Sequence, residues 1–76
     1  MYIVIELQEN AEGVLTNLVT THNTLPEAES KYYSILAYAA VSEIPLHSAI
    51  IVDKYGNPVK NNFYKHKVAA PEPVEE

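Results

Sequence analysis

Along the opening stretch MYIVIELQ the apolar and polar positions alternate as a strand requires: Ile3, Ile5 and Leu7 share one face, and Tyr2, Val4, Glu6 and Gln8 the other. The polar segment 9–13, with Asn10 and Gly13, reads as a hairpin loop. Residues 14–23, VLTNLVTTHN, are rich in β-branched side chains and form a partner strand antiparallel to the first. Their facing stays open, because Leu15 and Val19 share one side while Val14 and Leu18 share the other.

At Thr24 the period changes from two to 3.6. Thr24, Leu25, Pro26 and Glu27 have the spacing of a capping box, with the proline in the first turn, where its missing N–H costs nothing. Glu27 and Glu29 favour the positive end of the helix dipole. In AESKYYSILAYAAVS, Leu25, Ala28, Tyr32, Ile35, Leu36 and Ala39 gather on one face, so Tyr32 is a core ring. Tyr33 lies at the margin of that face and Tyr38 on the solvent side. The helix must end before Pro45, since the residue ahead of a proline disfavours α geometry.

A third strand, IPLHSAIIVD, follows; DKYGN at 53–57 is a turn, and PVKNNFYKHK at 58–67 returns as the fourth strand. Two hairpins joined through one helix predict an α+β two-layer sandwich, a four-stranded antiparallel sheet with one helix on one face, in the order β-β-α-β-β. The domain spans residues 1–67, and residues 68–76, with two prolines, three glutamates and no aromatic, read as a disordered acidic tail. One helix covers one face of the sheet. The other face is expected to carry Tyr2 and Val4, with Tyr64 or His47 beside them, and is either wet or a docking surface. The order of the strands within the sheet is left open.

Composition narrows the classes of function. A chain of 76 residues builds a thin core, and without cysteine it has neither disulfides nor thiolate metal ligands to support it. Burial against a second copy is therefore expected, most simply as a dimer. The absence of cysteine fits a reducing, cytoplasmic setting. The N-terminus lacks the basic start of a secretory signal, and no stretch approaches a membrane span.

The candidate chemistry is sparse. His22, His47 and His66 make no metal-binding spacing, though they would form a site if they converged in space with Glu6. Ser48 beside His47 on a strand points to the opposite face, which removes the obvious nucleophile–base pair. Both glycines are explained by turns, so no phosphate loop exists, and neither an enzyme nor a cofactor is indicated. Charge is segregated: Lys54, Lys60, Lys65 and Lys67 fall in the last hairpin with Tyr55, Phe63 and Tyr64. Lys54, Lys60, Tyr64, Lys65 and Lys67 would suit a single-stranded nucleic acid, held by phosphate contact and stacking. The plainer reading is an edge strand guarded by lysine against edge-to-edge pairing. Arginine is absent, and the net charge of −5 argues against nucleic acid as the main partner.

Taken together, MYIVIELQ, NLVT, AESKYYSILAYAAVS, PLHSAIIVDKYGN and YKHK resemble a family of small proteins from gut Gram-positive bacteria and their phages or prophages. The similarity covers residues 1–67. That family has no assigned activity, cofactor or catalytic residue, so the resemblance implies a phage-related setting and nothing residue by residue. The expectation is a small non-enzymatic interaction module that self-associates through its open sheet face or an edge strand, with an unknown protein as a further partner. The interface residues expected are Tyr2, Val4, His47 and Tyr64; single-stranded nucleic-acid binding by the last hairpin is the alternative.

Overall fold

Among the described residues, two turns of the same design and one capped helix punctuate the chain. In the first turn Asn10 leads into Gly13, whose φ of 83° only glycine adopts cheaply, and the Asn10 side chain accepts the amides of Glu12 and Val14 at 2.9 Å. Asp53 and Gly56 repeat the arrangement: φ is 86° at Gly56, and the Asp53 carboxylate accepts the amides of Tyr55 and Asn57 at 2.9 Å. Those amides hold the Asp53 carboxyl below its ordinary range, the Asn57 amide contributing most.

The computed structural model describes residues 1–66; Lys67 and the tail expected at 68–76 lie outside the described residues. The elements are β1 (Tyr2–Glu9), β2 (Leu15–His22), α1 (Leu25–Val41), β3 (Leu46–Asp53) and β4 (Pro58–Lys65). The strands form one antiparallel sheet in the order β2-β1-β3-β4 with α1 across it, the α+β architecture that the pattern predicts.

The Thr24 hydroxyl accepts the Glu27 amide at 3.3 Å and caps α1, while Ser42 closes the other end by donating its amide to the Ala39 carbonyl. Thr24→Ala is expected to cost about 1 kcal/mol, read as a lower midpoint in chemical denaturation. Ala28, Tyr32, Ile35, Leu36 and Ala39 are buried and Tyr33 and Tyr38 exposed, as the helical period requires. Burial raises the Tyr32 hydroxyl above its ordinary pKa, and Tyr33 adds to the effect.

The facing of β1 differs from expectation. Val4 is 1% exposed and packs under α1 with Ala49 and Ile51, Tyr2 leans on the same cluster, and His47 is fully buried. The helix thus covers the even positions of β1 and the odd positions of β3, and Ile3, Ile5 and Leu7 are left on the open side. The cause is topological. β2 and β3 both run antiparallel to β1, so they are parallel to one another, and α1 is a crossover between them. Such crossovers are right-handed, which dictates the side on which the helix lies once the strand order is set.

Candidate functional site

The face without the helix is the more apolar of the two. In its central strands Ile3 lies opposite Val52, Ile5 opposite Ile50 and Leu7 opposite Ser48, with Glu9 opposite Leu46 at the end. The outer strands add Val19 beside Ile5, Leu15 beside Glu9 and Phe63 beside Ser48. Leu15, Val19 and Phe63 are all more than half exposed. A shallow depression of about 380 Å³ opens between Leu46, Ser48, Phe63 and Lys65. The helix, by contrast, covers Val4, Ala49 and Ile51 together with Glu6, Gln8 and His47. Among the described residues the single helix lies over the more polar face of the sheet and leaves the more apolar one uncovered.

Beneath the C-terminal half of α1 lies a polar network. His47 Nε2 donates to Glu6 Oε2 at 2.6 Å, and Gln8 Nε2 donates to the same oxygen at 3.0 Å. Burial of Glu6 opposes ionisation, yet the hydrogen bonds from His47 and Gln8 and the fields of His47 and Lys31 outweigh it, so its pKa lies below the ordinary 4.5. On the other side of the ring, Ser42 Oγ stands 3.5 Å from His47 Nδ1, and the Tyr38 ring meets the imidazole edge-on at 6.2 Å. A cleft of about 510 Å³ opens above, walled by Gln8, Thr16, Tyr38, Ser42 and Ile44.

A serine, a histidine and a carboxylate in line is the layout of nucleophilic catalysis. Here the Ser42 hydroxyl donates to the Ala39 carbonyl at 3.3 Å and accepts the Ile44 amide at 3.4 Å, and the imidazole has no exposed surface. The array ties the end of the helix to the sheet. Its sequence signal was His47 at i, i+2, i+4 with Ala49 and Ile51, a polar residue in register with two core positions.

The whole expected interface set lies on the helix side. Val4 and His47 are beneath the helix, Tyr2 is against the core, and Tyr64 pairs with His47 and stacks on His66, so none of the four is on the open face. The histidines do not converge: His66 Nε2 donates to the Ala39 carbonyl at 2.8 Å, and His22 Nε2 bonds Thr20 Oγ1 at 2.9 Å. Among the described residues no cluster of histidine and carboxylate groups is arranged to hold a metal ion. Nor do the lysines form one stripe. Lys60 pairs with Ile51 on the helix side, Lys65 with Leu46 on the open side, and Lys54 lies over the Tyr55 ring in the turn. No helix among the described residues is long and apolar enough to cross a membrane. No family model, curated protein or solved structure matches the chain.

Proposed function

We propose that this chain is a small non-enzymatic interaction module that associates with a second copy of itself through the sheet face opposite α1. One observation carries the reading: the face left uncovered, centred on Ile5 and Ile50, is more apolar than the face the helix protects. Its size is sufficient. Four strands of eight residues present roughly 500 Å² in projection, at about 4.8 Å between strands and about 3.3 Å per residue. Two copies face to face then bury on the order of 1,000 Å², the threshold for a specific interface. Charges are confined to one end of this face, at Glu9 and Lys65, so the central contact desolvates only side chains without charge. A phage or prophage setting, implied by the resemblance, suits an assembly role of this kind.

Light scattering coupled to size exclusion tests the reading. The wild type is expected to run as a dimer or larger, with a mass insensitive to salt. Ile50→Lys is expected to halve that mass while leaving the far-ultraviolet circular dichroism unchanged. A wild type that stays monomeric at millimolar concentration, or an Ile50→Lys mass equal to wild type, overturns it.

A further inference from the structure

The two edges of the sheet are built differently. β4 carries Pro58, a bulge where Ile51 pairs with Lys60 and Val52 with Pro58, and the lysines Lys60 and Lys65. Each of these blunts an edge against further pairing. β2, Leu15–His22, has no proline and no bulge, and its eight residues pair in one unbroken register with β1. It is also the only one of the four strands without Asp, Glu, Lys or Arg, in a chain of net charge −5. Two such chains repel each other least where this strand meets its own copy.

Ladder parity shows what the edge offers. The Asn10 amide donates to the Val14 carbonyl at 3.0 Å, and hydrogen-bonded pairs alternate along an antiparallel ladder. Thr16, Leu18, Thr20 and His22 therefore turn their backbone groups to β1, while Leu15, Asn17, Val19 and Thr21 turn theirs outward.

We propose that the outer edge of β2 pairs antiparallel with β2 of a second copy, about a two-fold axis at Leu18, joining two sheets into one of eight strands. This register sets Asn17 against Val19 and Leu15 against Thr21 as hydrogen-bonded pairs, using every outward group of those four residues. It also sets Thr16 against Thr20 and Leu18 against Leu18 of the partner in the closer, non-hydrogen-bonded pairs. Leu18 is 55% exposed on the helix side of the sheet, and this contact covers it. The edge contact is distinct from the face contact proposed above: it uses main chain and Leu18, where the face uses the side chains around Ile5 and Ile50. Both together join four copies as two stacked eight-stranded layers, with the helices outside.

Amide hydrogen exchange and solution mass test the edge. The amides of Leu15, Asn17, Val19 and Thr21 are free in an isolated chain. In the pair their exchange is expected to slow about a hundredfold, in step with protein concentration. Asn17→Pro removes only an outward donor, and Leu18→Lys places like charges at the axis; each is expected to halve the mass and restore fast exchange without changing the circular dichroism. Slow exchange lost in both variants establishes the pairing. Fast exchange at those four amides in wild type that still associates overturns the edge and leaves the face reading standing. A monomer at all concentrations overturns both.

Discussion

Val4→Lys is expected to unfold this protein, while Ile5→Lys, one residue along the same strand, leaves it folded and lowers only its assembly state. Val4 is 1% exposed and packed with Ala49, Ile51, Tyr32 and Ile35. A lysine there removes an aliphatic group from a close-packed cluster and puts an ammonium into a site with almost no exposed surface, where the nearest carboxylate, Glu6, is already held by His47. The cost is roughly 4 kcal/mol or more, against a total stability at the low end of about 5–15 kcal/mol for a domain this small. Ile5 faces the other way, opposite Ile50 and Val19, and a lysine at that position extends into water. Thermal denaturation followed by circular dichroism separates the two: no cooperative transition for Val4→Lys, and a cooperative transition retained for Ile5→Lys. A folded Val4→Lys protein would mean that the helix covers the opposite face.

The second expected result concerns the Glu6–His47 pair. Glu6→Ala leaves the buried His47 N–H without its acceptor and is expected to cost about 2–3 kcal/mol. Replacing both partners, as Glu6→Met with His47→Leu, is expected to cost less than the sum of the single changes, because no polar group is then stranded. The pair also sets a pH dependence. The Glu6 carboxyl has a lower pKa folded than unfolded, so the native state binds its proton less readily. Its contribution is complete above the ordinary value of 4.5 and is lost as pH falls through the lowered folded value. Denaturation of wild type and Glu6→Gln from pH 7 into the acid range is therefore expected to give a stability gap that is widest near neutrality and closes in acid. A gap that persists unchanged at the lowest pH would show that Glu6 acts by packing and not by charge.

The network has a structural rationale in the helix it anchors. The last turn of α1 has no basic residue to offset its dipole, and its final carbonyls need donors. Ser42 and His66 both donate to the Ala39 carbonyl, and His47 brings Ser42 into register with β1 through Glu6. One helix terminus is thereby tied by side chains to β1, to β3 and to the residue that follows β4.

What the amino-acid order determined by itself is local. Asn10 with Gly13 and Asp53 with Gly56 dictate two turns, because few other residues supply both the side-chain acceptor and the positive φ. Thr24 and Pro26 dictate where the helix begins, and the 3.6-residue spacing of Ala28, Tyr32, Ile35, Leu36 and Ala39 selects its buried face. These are decisions between neighbours in the chain, and a β-β-α-β-β order with one helical layer follows from them. The side of the sheet on which that helix lies was not legible. Both faces of β1 carry aliphatic residues, so alternation with a period of two identifies a strand without saying which set is inside. Only the tertiary structure decided it: β1 sits between β2 and β3, the two flanking strands become parallel, and the crossover between them puts α1 over Val4, Glu6 and His47. The same long-range choice brought Ser42, His47 and Glu6 together from a helix end and two strands, and left Ile5 and Ile50 in the open, because pairing between distant strands has no trace in the spacing of either.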